Sequence, residues 1–132
     1  MGQQLQPCRI LIIDDNQDAA DALAEIFSLH GYLTSVALGG PPGLAAISSF
    51  CPDVVFLDIG MPGMDGYQVA AQLRKMDNIR QPLLIAFTAW NDDDAKAKVT
   101  AAGFDLHMTK TEKFSVLLDA VSQSPPARHV DH

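Results

Sequence analysis

The sequence predicts an α/β fold in which a parallel β-sheet carries helices on both faces. Short apolar runs alternate five times with longer segments whose apolar residues have helical spacing. The apolar runs show no polar face, which is typical of strands that are buried on both sides. Hydrophobic residues make up 48% of the 132 positions, and this fraction supports a single core and argues against disorder.

The predicted elements begin and end at residues that suit helix termini. Asp65 can cap the third helix, and Gly31 and Gly103 can end the first and the fourth. Because βαβ crossovers are right-handed, the alternation predicts a flavodoxin-like (βα)5 doubly wound parallel sheet with strand order 2-1-3-4-5. The predicted strands span residues 8–13, 32–37, 53–57, 82–87 and 106–109, and the predicted helices span residues 18–30, 43–50, 65–76, 91–102 and 112–122.

Composition limits the classes of function. The formal net charge is −7 with only 9 lysines and arginines, so neither a nucleic acid nor an anionic membrane is an expected partner. No apolar run reaches the ~20 residues of a membrane span and the first residues do not resemble a signal peptide, so a cytoplasmic location is expected. Cys8 and Cys51 are interpreted as small buried thiols.

The domain organisation predicted from the sequence is simple. One domain is expected over residues 8–122, where the alternation of apolar and amphipathic segments runs without interruption. Residues 1–7 are expected to be an N-terminal extension. Residues 123–132 have little to bury and are expected to form a flexible C-terminal tail.

Polar side chains follow four of the five predicted strands. Asp14 and Asp15 come directly after the first strand, and Asp58 comes directly after the third. Thr88 follows the fourth strand and Lys110 the fifth. Because the carboxyl ends of parallel strands face one edge and strands one and three are neighbours, these groups are expected to meet in one cleft, where such folds bind ligands.

Three carboxylates in one cleft repel each other. A like-charge pair at about 4 Å costs about 1 kcal/mol in water and about 4 kcal/mol at an effective dielectric constant of about 20. A divalent ion relieves this repulsion, and oxygen ligands suit Mg²⁺, or Mn²⁺, rather than zinc. Because Mg²⁺ takes only one or two carboxylates, Asp58 can keep one oxygen free to attack phosphorus, while Lys110 and Thr88 stabilise the phosphoryl oxygens.

Each of these residues also has a purely structural interpretation. Asp14 and Asp15 could cap the first helix, Lys110 could be a solvated surface charge, and Thr88 could be an ordinary hydroxyl at the end of a strand. The occurrence of all of them at one edge of the sheet favours the functional interpretation.

Four motifs surround these polar residues, and they read Ile12-Ile13-Asp14-Asp15-Asn16, Val54-Val55-Phe56-Leu57-Asp58-Ile59-Gly60-Met61-Pro62-Gly63-Met64-Asp65-Gly66, Ala86-Phe87-Thr88-Ala89, and Ala102-Gly103-Phe104-Asp105 running on to Lys110. Together they resemble the receiver domains of two-component signalling, over about residues 8–122. The loop at residues 60–63 and the segment at 103–105 are most similar to receivers attached to hybrid histidine kinases.

The resemblance implies a role for each acidic residue. Asp58 is the implied phosphoacceptor. Asp15, Asp58 and the backbone carbonyl of Gly60 are the implied direct ligands of Mg²⁺. Asp14 is implied to act mainly through metal-bound water.

The resemblance also implies the groups that contact the phosphoryl group and the switch that follows. Thr88, the backbone amide of Ala89 and Lys110 are implied to contact the phosphoryl oxygens. Phosphorylation adds roughly −1.5 to −2 units of charge, so Thr88 is expected to move towards it. An aromatic side chain on the fifth strand then fills the vacated space, and in this chain His107 stands at that position.

Partners and chemistry follow from the same resemblance. The implied phosphodonor is a phosphohistidine on a sensor histidine kinase or a histidine phosphotransfer protein, and the downstream target protein is unknown. The domain is expected to hydrolyse its own aspartyl phosphate slowly and to be no conventional enzyme. It is expected to be a monomer or a weak dimer.

Three residues depart from the family pattern or tune it. The family usually has a proline in a cis peptide bond after the lysine, but in this chain Thr111 follows Lys110. A cis bond before a residue other than proline costs about 2.5–4 kcal/mol, so a trans bond with a modest shift of Lys110 is expected. Trp90 could shield the phosphoryl group, in which case Trp90→Ala shortens its lifetime, or it could have a packing role that faces solvent. Gly60 offers no side chain to guide water.

Other functions remain open from the sequence. The altered loop after Lys110 would also fit a phosphorylation-inert, receiver-like interaction domain. A Mg²⁺-dependent phosphatase acting in trans would need a further acid near Asp58, where Gly60 has no side chain. A flavin-binding protein of similar fold would need a Ser/Thr-rich phosphate loop after the first strand, where this chain has acids.

Overall fold

The protein is described by a computed structural model that covers residues 7–61, 63–89 and 93–122, with the backbone alone at 93–96. The predicted tail at 123–132 and all but the last residue of the predicted extension at 1–7 lie outside these ranges. In chain order the elements are β1 Arg9–Ile13, α1 Gln17–Leu29, β2 Leu33–Ala37, α2 Gly40–Phe50, β3 Val54–Leu57, α3 Gly66–Arg74, β4 Leu83–Thr88, α4 Asp93–Ala102, β5 Leu106–Thr109 and α5 Phe114–Ser122.

The five strands form one parallel sheet in the order β2-β1-β3-β4-β5, which confirms the predicted topology. The strand β1 pairs with β3 so that Ile13 lies opposite Leu57. Because both strands end at this pair, the residues that follow them leave the sheet side by side. Within the described ranges, no helix has the length and apolar character needed to cross a membrane.

The sheet has a hydrophobic core on each face, because alternate residues of each strand point to opposite sides. On one face Leu11 and Val55 pack with residues of α2, α3 and α4. On the other face Ile10 and Phe56 pack with α1 and α5, where Phe27 is fully buried. With helices packed on both faces, the ends of the strands are the expected place for a ligand site.

Several helix boundaries differ from the prediction, and the starts of α1 and α2 have local reasons. The helix α2 begins at Gly40, because the two prolines at 41 and 42 fit in a first turn that needs no amide donors. The helix α1 begins at Gln17, because the Asn16 side chain accepts a hydrogen bond from the amide of Ala19 at 3.1 Å. Asn16, and neither Asp14 nor Asp15, therefore caps α1. The helix α5 begins at Phe114.

The interpretation of both cysteines as buried thiols was wrong. Cys51 is exposed and Cys8 is only partly buried. Cys51 follows the last residue of α2 in the left-handed conformation, with φ of 54°, and it ends that helix at the protein surface.

The amino edge of the sheet, where the strands begin, is held by two arginines. The Arg74 side chain donates to the carbonyl of Gly103 at 2.8 Å, to the Gln81 side chain at 2.8 Å and to the Asp105 carboxylate at 2.9 Å. The Arg9 side chain donates to the carbonyl of Phe50 at 2.8 Å. These contacts fix the segments that enter β3, β4 and β5.

Candidate metal centre at the carboxyl edge of the sheet

The candidate site lies at the carboxyl edge, and the sheet itself positions its acids. The amide of Asp14 donates to the carbonyl of Ala37 at 3.1 Å, and the amide of Asp58 donates to the carbonyl of Ile13 at 2.9 Å. These bonds extend the ladders of the sheet by one residue beyond the strands. The backbones of Asp14 and Asp58 are therefore held as firmly as strand residues, while their side chains leave the sheet.

The three predicted acids meet as the sequence indicated. Asp14, Asp15 and Asp58 each offer a carboxylate oxygen within 4.8 Å of the other two. Asp14 is 3% exposed and Asp58 is 8% exposed, whereas Asp15 faces solvent. The cluster therefore has two buried acids and one acid that faces solvent.

Lys110 is the cation that faces these acids, and it favours one of them. Its Nζ lies 2.8 Å from Asp14 Oδ2 and 3.6 Å from Asp58 Oδ2. The other Asp14 oxygen, Oδ1, accepts from the amide of Asn16 at 3.0 Å. Both oxygens of Asp14 thus have donors, while Asp58 Oδ2 is in looser contact with the ammonium.

The environment shifts two pKa values at the site. Burial raises the pKa of Asp58, the charge of Asp14 adds to this rise, and the Gly60 amide and Lys110 oppose it without cancelling it. Burial alone would lower the pKa of Lys110, but its hydrogen bond to Asp14 and the charges of Asp58 and Asp14 outweigh burial and raise it. Lys110 is therefore a firmly charged ammonium, and the ionised form of Asp58 lacks full compensation.

The loop after Asp58 is shaped around its carboxylate. The amide of Gly60 donates to Asp58 Oδ1 at 3.1 Å and so fixes one oxygen. Helix α3 approaches very closely, because a Cβ added at Gly66 would lie 2.6 Å from the backbone oxygen of Asp58. Only glycine fits there. Asp65 caps this helix as predicted, accepting from the amide of Gln68 at 3.0 Å.

The loop after β5 places Lys110. The structure has no cis peptide bond among the described residues, so the expected trans bond between Lys110 and Thr111 is confirmed. The amide of Lys110 donates to the carbonyl of Thr88 at 2.8 Å, which ties the lysine to the end of β4. The ammonium reaches the acids from this trans loop.

The two residues predicted to form the switch share one face of the sheet. Thr88 is buried, and His107 is half-buried and pairs with Ala86 in the adjacent strand. His107 borders a cavity of about 290 Å³ beside α4, together with Val99. Its Nε2 is buried and has no hydrogen-bond partner among the described residues. Ala89 follows Thr88 and is exposed.

The donor set fits a hard divalent cation. It consists of carboxylate oxygens, it contains neither sulfur nor imidazole, and it has too little positive charge to balance its own acids. Asp15 and Asp58 are the acids best placed to hold such an ion, since both oxygens of Asp14 already accept hydrogen bonds. The carboxyl edge is therefore a candidate metal centre, for which Mg²⁺ is the expected ion.

Some predictions lie outside the described residues, and two contributors were not predicted. Trp90 is not among the described residues, so its shielding role stays a prediction. Neither the cap at Asn16 nor the close approach at Gly66 was predicted from the sequence. The rules for helix caps could have identified Asn16, because it directly precedes an amphipathic segment. Nothing local indicates Gly66, whose constraint comes from packing between α3 and the end of β3.

Comparison with known proteins gives the family. A family model described as the response regulator receiver domain matches residues 10–122. The chain is also 32% identical over 121 residues to sporulation initiation phosphotransferase F of Bacillus subtilis, a match that covers 91% of this chain and 95% of the relative. The chain belongs to the family of response regulator receiver domains.

Other matches extend the comparison. The chain is 34% identical over 113 residues to the response regulator MprA of Mycolicibacterium vanbaalenii, covering 85% of this chain and 48% of that protein, about half its length. The receiver domain of the Francisella response regulator 1452 matches with a TM-score of 0.78 and 30% identity, over 89% of this chain and 94% of that one. The chemotaxis protein CheY4 of Vibrio cholerae has a TM-score of 0.84 at 20% identity, over 91% and 100%, and shows the fold alone.

Proposed function

We propose that this domain is a phosphoacceptor switch of a phosphorelay, with Asp58 as the acceptor and Mg²⁺ as the cofactor. The observation that carries the proposal is the meeting of three carboxylates and one ammonium at the edge of the sheet. The relative from Bacillus subtilis, 95% of which aligns with this chain, is named a phosphotransferase, and this name supports phosphoryl transfer.

The proposed step forms one bond and breaks one. A carboxylate oxygen of Asp58 attacks the phosphorus of a phosphohistidine on a sensor histidine kinase or a histidine phosphotransfer protein. The P–N bond breaks, and the imidazole of the donor leaves with the electron pair and takes a proton. Asp58 must be ionised to attack, and its raised pKa makes it a better nucleophile when ionised.

The surrounding residues have distinct proposed tasks. Mg²⁺ bound by Asp15, Asp58 and the Gly60 carbonyl would supply positive charge for the phosphoryl oxygens. Asp14 holds Lys110 at 2.8 Å, and the ammonium, 3.6 Å from Asp58 Oδ2, is within reach of a phosphoryl group on that acid. The Thr88 hydroxyl and the Ala89 amide complete the set of donors.

The proposed switch follows the movement of Thr88. As its hydroxyl turns to the phosphoryl group, His107 moves into the space that it leaves. The Nε2 of His107 has no hydrogen-bond partner among the residues that the structure describes, so the ring gives up no such bond there when it turns, and the adjoining cavity leaves room for the movement. Water later attacks phosphorus and releases phosphate from Asp58, so the domain resets itself slowly and has no separate substrate.

Incubation with acetyl phosphate and Mg²⁺, followed by intact mass measurement, tests the proposal. The wild type should gain the mass of one phosphoryl group, while EDTA or Asp58→Asn should abolish the gain. Asp65→Asn is the matched control, because asparagine also caps helices and the fold is kept. A wild type that stays at its unmodified mass would contradict the proposal and favour a phosphorylation-inert, receiver-like interaction domain.

A further inference from the structure

The segment that carries Lys110 is closed by three hydrogen bonds. The amide of Lys110 donates to the carbonyl of Thr88 at 2.8 Å, and the amide of Glu112 donates to the carbonyl of Thr109 at 3.1 Å, which closes a tight turn. The hydroxyls of Thr109 and Thr111 lie 2.9 Å apart, within hydrogen-bond distance. This last contact, the hydroxyl clip, joins the two residues that flank Lys110.

We propose that the hydroxyl of Thr111 is a positioning group for Lys110, acting through the clip to Thr109. The lysine side chain is long and flexible, so the place of its ammonium depends on how firmly its own backbone is held. Thr111 has no ring to fix its backbone φ, in contrast to proline. The turn hydrogen bond between Thr109 and Glu112 still allows the peptide between Lys110 and Thr111 to flip, because turns of types I and II share that bond and differ in the orientation of this peptide.

The clip restricts that rotation because it connects side chains on both sides of the lysine. A turn of the peptide after Lys110 moves the Thr111 side chain away from Thr109 and breaks the bond. With the clip made, the Cα–Cβ direction of Lys110 is held towards Asp14 and Asp58, where its Nζ lies. This positioning role of Thr111 rests on the proposed function, since it concerns the rate at which Asp58 accepts a phosphoryl group.

Thr111→Val tests the clip, because valine keeps the branched shape and removes only the hydroxyl. The rate of phosphorylation by acetyl phosphate at saturating Mg²⁺ should fall about threefold, which is the size of effect expected from the loss of one exposed hydrogen bond. Thr111→Ser should restore the rate. Thr109→Val should give the same fall, and the double variant should be no slower than either single variant, because both break one bond.

A matched control is present elsewhere in the chain. The hydroxyls of Ser28 and Thr34 lie 2.8 Å apart on the exposed side of α1 and β2, away from the acids. Thr34→Val removes an equivalent hydroxyl contact and should leave the rate unchanged. The Mg²⁺ dissociation constant should stay the same in Thr111→Val, which separates a misplaced ammonium from a damaged metal site.

A second readout needs no phosphodonor. In the metal-free protein, the Cε–Hε NMR signals of Lys110 report the position of the ammonium beside Asp14. Thr111→Val should move them towards the values of solvated lysines, whereas Thr111→Ser and Thr34→Val should not.

The outcomes separate this inference from the proposed function. A phosphorylated wild type with an equal rate and unchanged lysine signals in Thr111→Val would overturn the positioning role alone. A wild type that accepts no phosphoryl group would overturn the function and the rate effect with it.

Discussion

The two edges of the sheet use charge in opposite ways. At the amino edge, Arg74 divides its donors among a carboxylate, a side-chain amide and main-chain carbonyls, and the Asp105 carboxylate also accepts from the amide of Leu84 at 2.8 Å. At the carboxyl edge, three acids meet, and the ammonium of Lys110 lies within 4 Å of two of them, Asp14 and Asp58. The amino edge is balanced and holds the fold, whereas the carboxyl edge carries an excess of negative charge that favours a divalent cation.

Removal of Arg74 should have the largest effect on stability and little effect on chemistry. Arg74→Ala leaves the partly buried carbonyls of Gly103 and Pro82 without its donors, and we expect a loss of about 2–3 kcal/mol in the free energy of unfolding by urea. Its ion pair with Asp105 adds little, because that acid is 44% exposed. Arg80→Ala, at an exposed arginine, is the control. If Arg74→Ala kept full stability, the arginine contacts at the amino edge would not hold the fold.

Removal of Lys110 should destabilise the fold less, and metal should reverse the loss. Lys110→Ala leaves Asp14 buried without its ammonium, and we expect a loss of about 1–2 kcal/mol in metal-free buffer, since the lysine side chain is itself 28% exposed. Mg²⁺ should raise the unfolding midpoint of this variant more than that of the wild type. An equal rise in both proteins would contradict the view that Lys110 balances the acids.

Neutralisation of Asp58 should have the smallest effect and the opposite sign. Because the folded pKa of Asp58 is raised, the folded state holds its proton more tightly than the unfolded state does. Its contribution to stability is complete below the unfolded pKa and is lost as the pH rises through the folded pKa. In metal-free buffer at neutral pH, Asp58→Asn should therefore be slightly more stable than the wild type.

The measurement is a series of urea unfolding curves from acid to neutral pH. The difference between Asp58→Asn and the wild type should shrink as the pH falls through the folded pKa of Asp58, because both proteins then carry a neutral side chain at this position. Asp65→Asn, whose acid caps an exposed helix end, serves as the control. A variant that is less stable than the wild type across the whole range would show that Asp58 is fully compensated.

The sequence by itself determined the elements, the strand order and the edge at which the acids meet. Apolar runs without a polar face specify buried parallel strands, and the handedness of their connections leaves few orders for them. Asp14, Asp15 and Asp58 come directly after two such strands, so their convergence follows from chain position alone.

Only the tertiary structure decided how unequal those acids are. Asp14 is buried and accepts a hydrogen bond from Lys110 Nζ at 2.8 Å, while Asp15 faces solvent. The Oδ2 atom of Asp58 lies 3.6 Å from the same ammonium. The exposure of Cys51, the close approach at Gly66 and the clip beside Lys110 were also settled there. The physical reason is that local pattern fixes backbone conformation, while burial and distances of a few ångströms depend on register, side-chain rotamers and contacts between segments far apart in the chain.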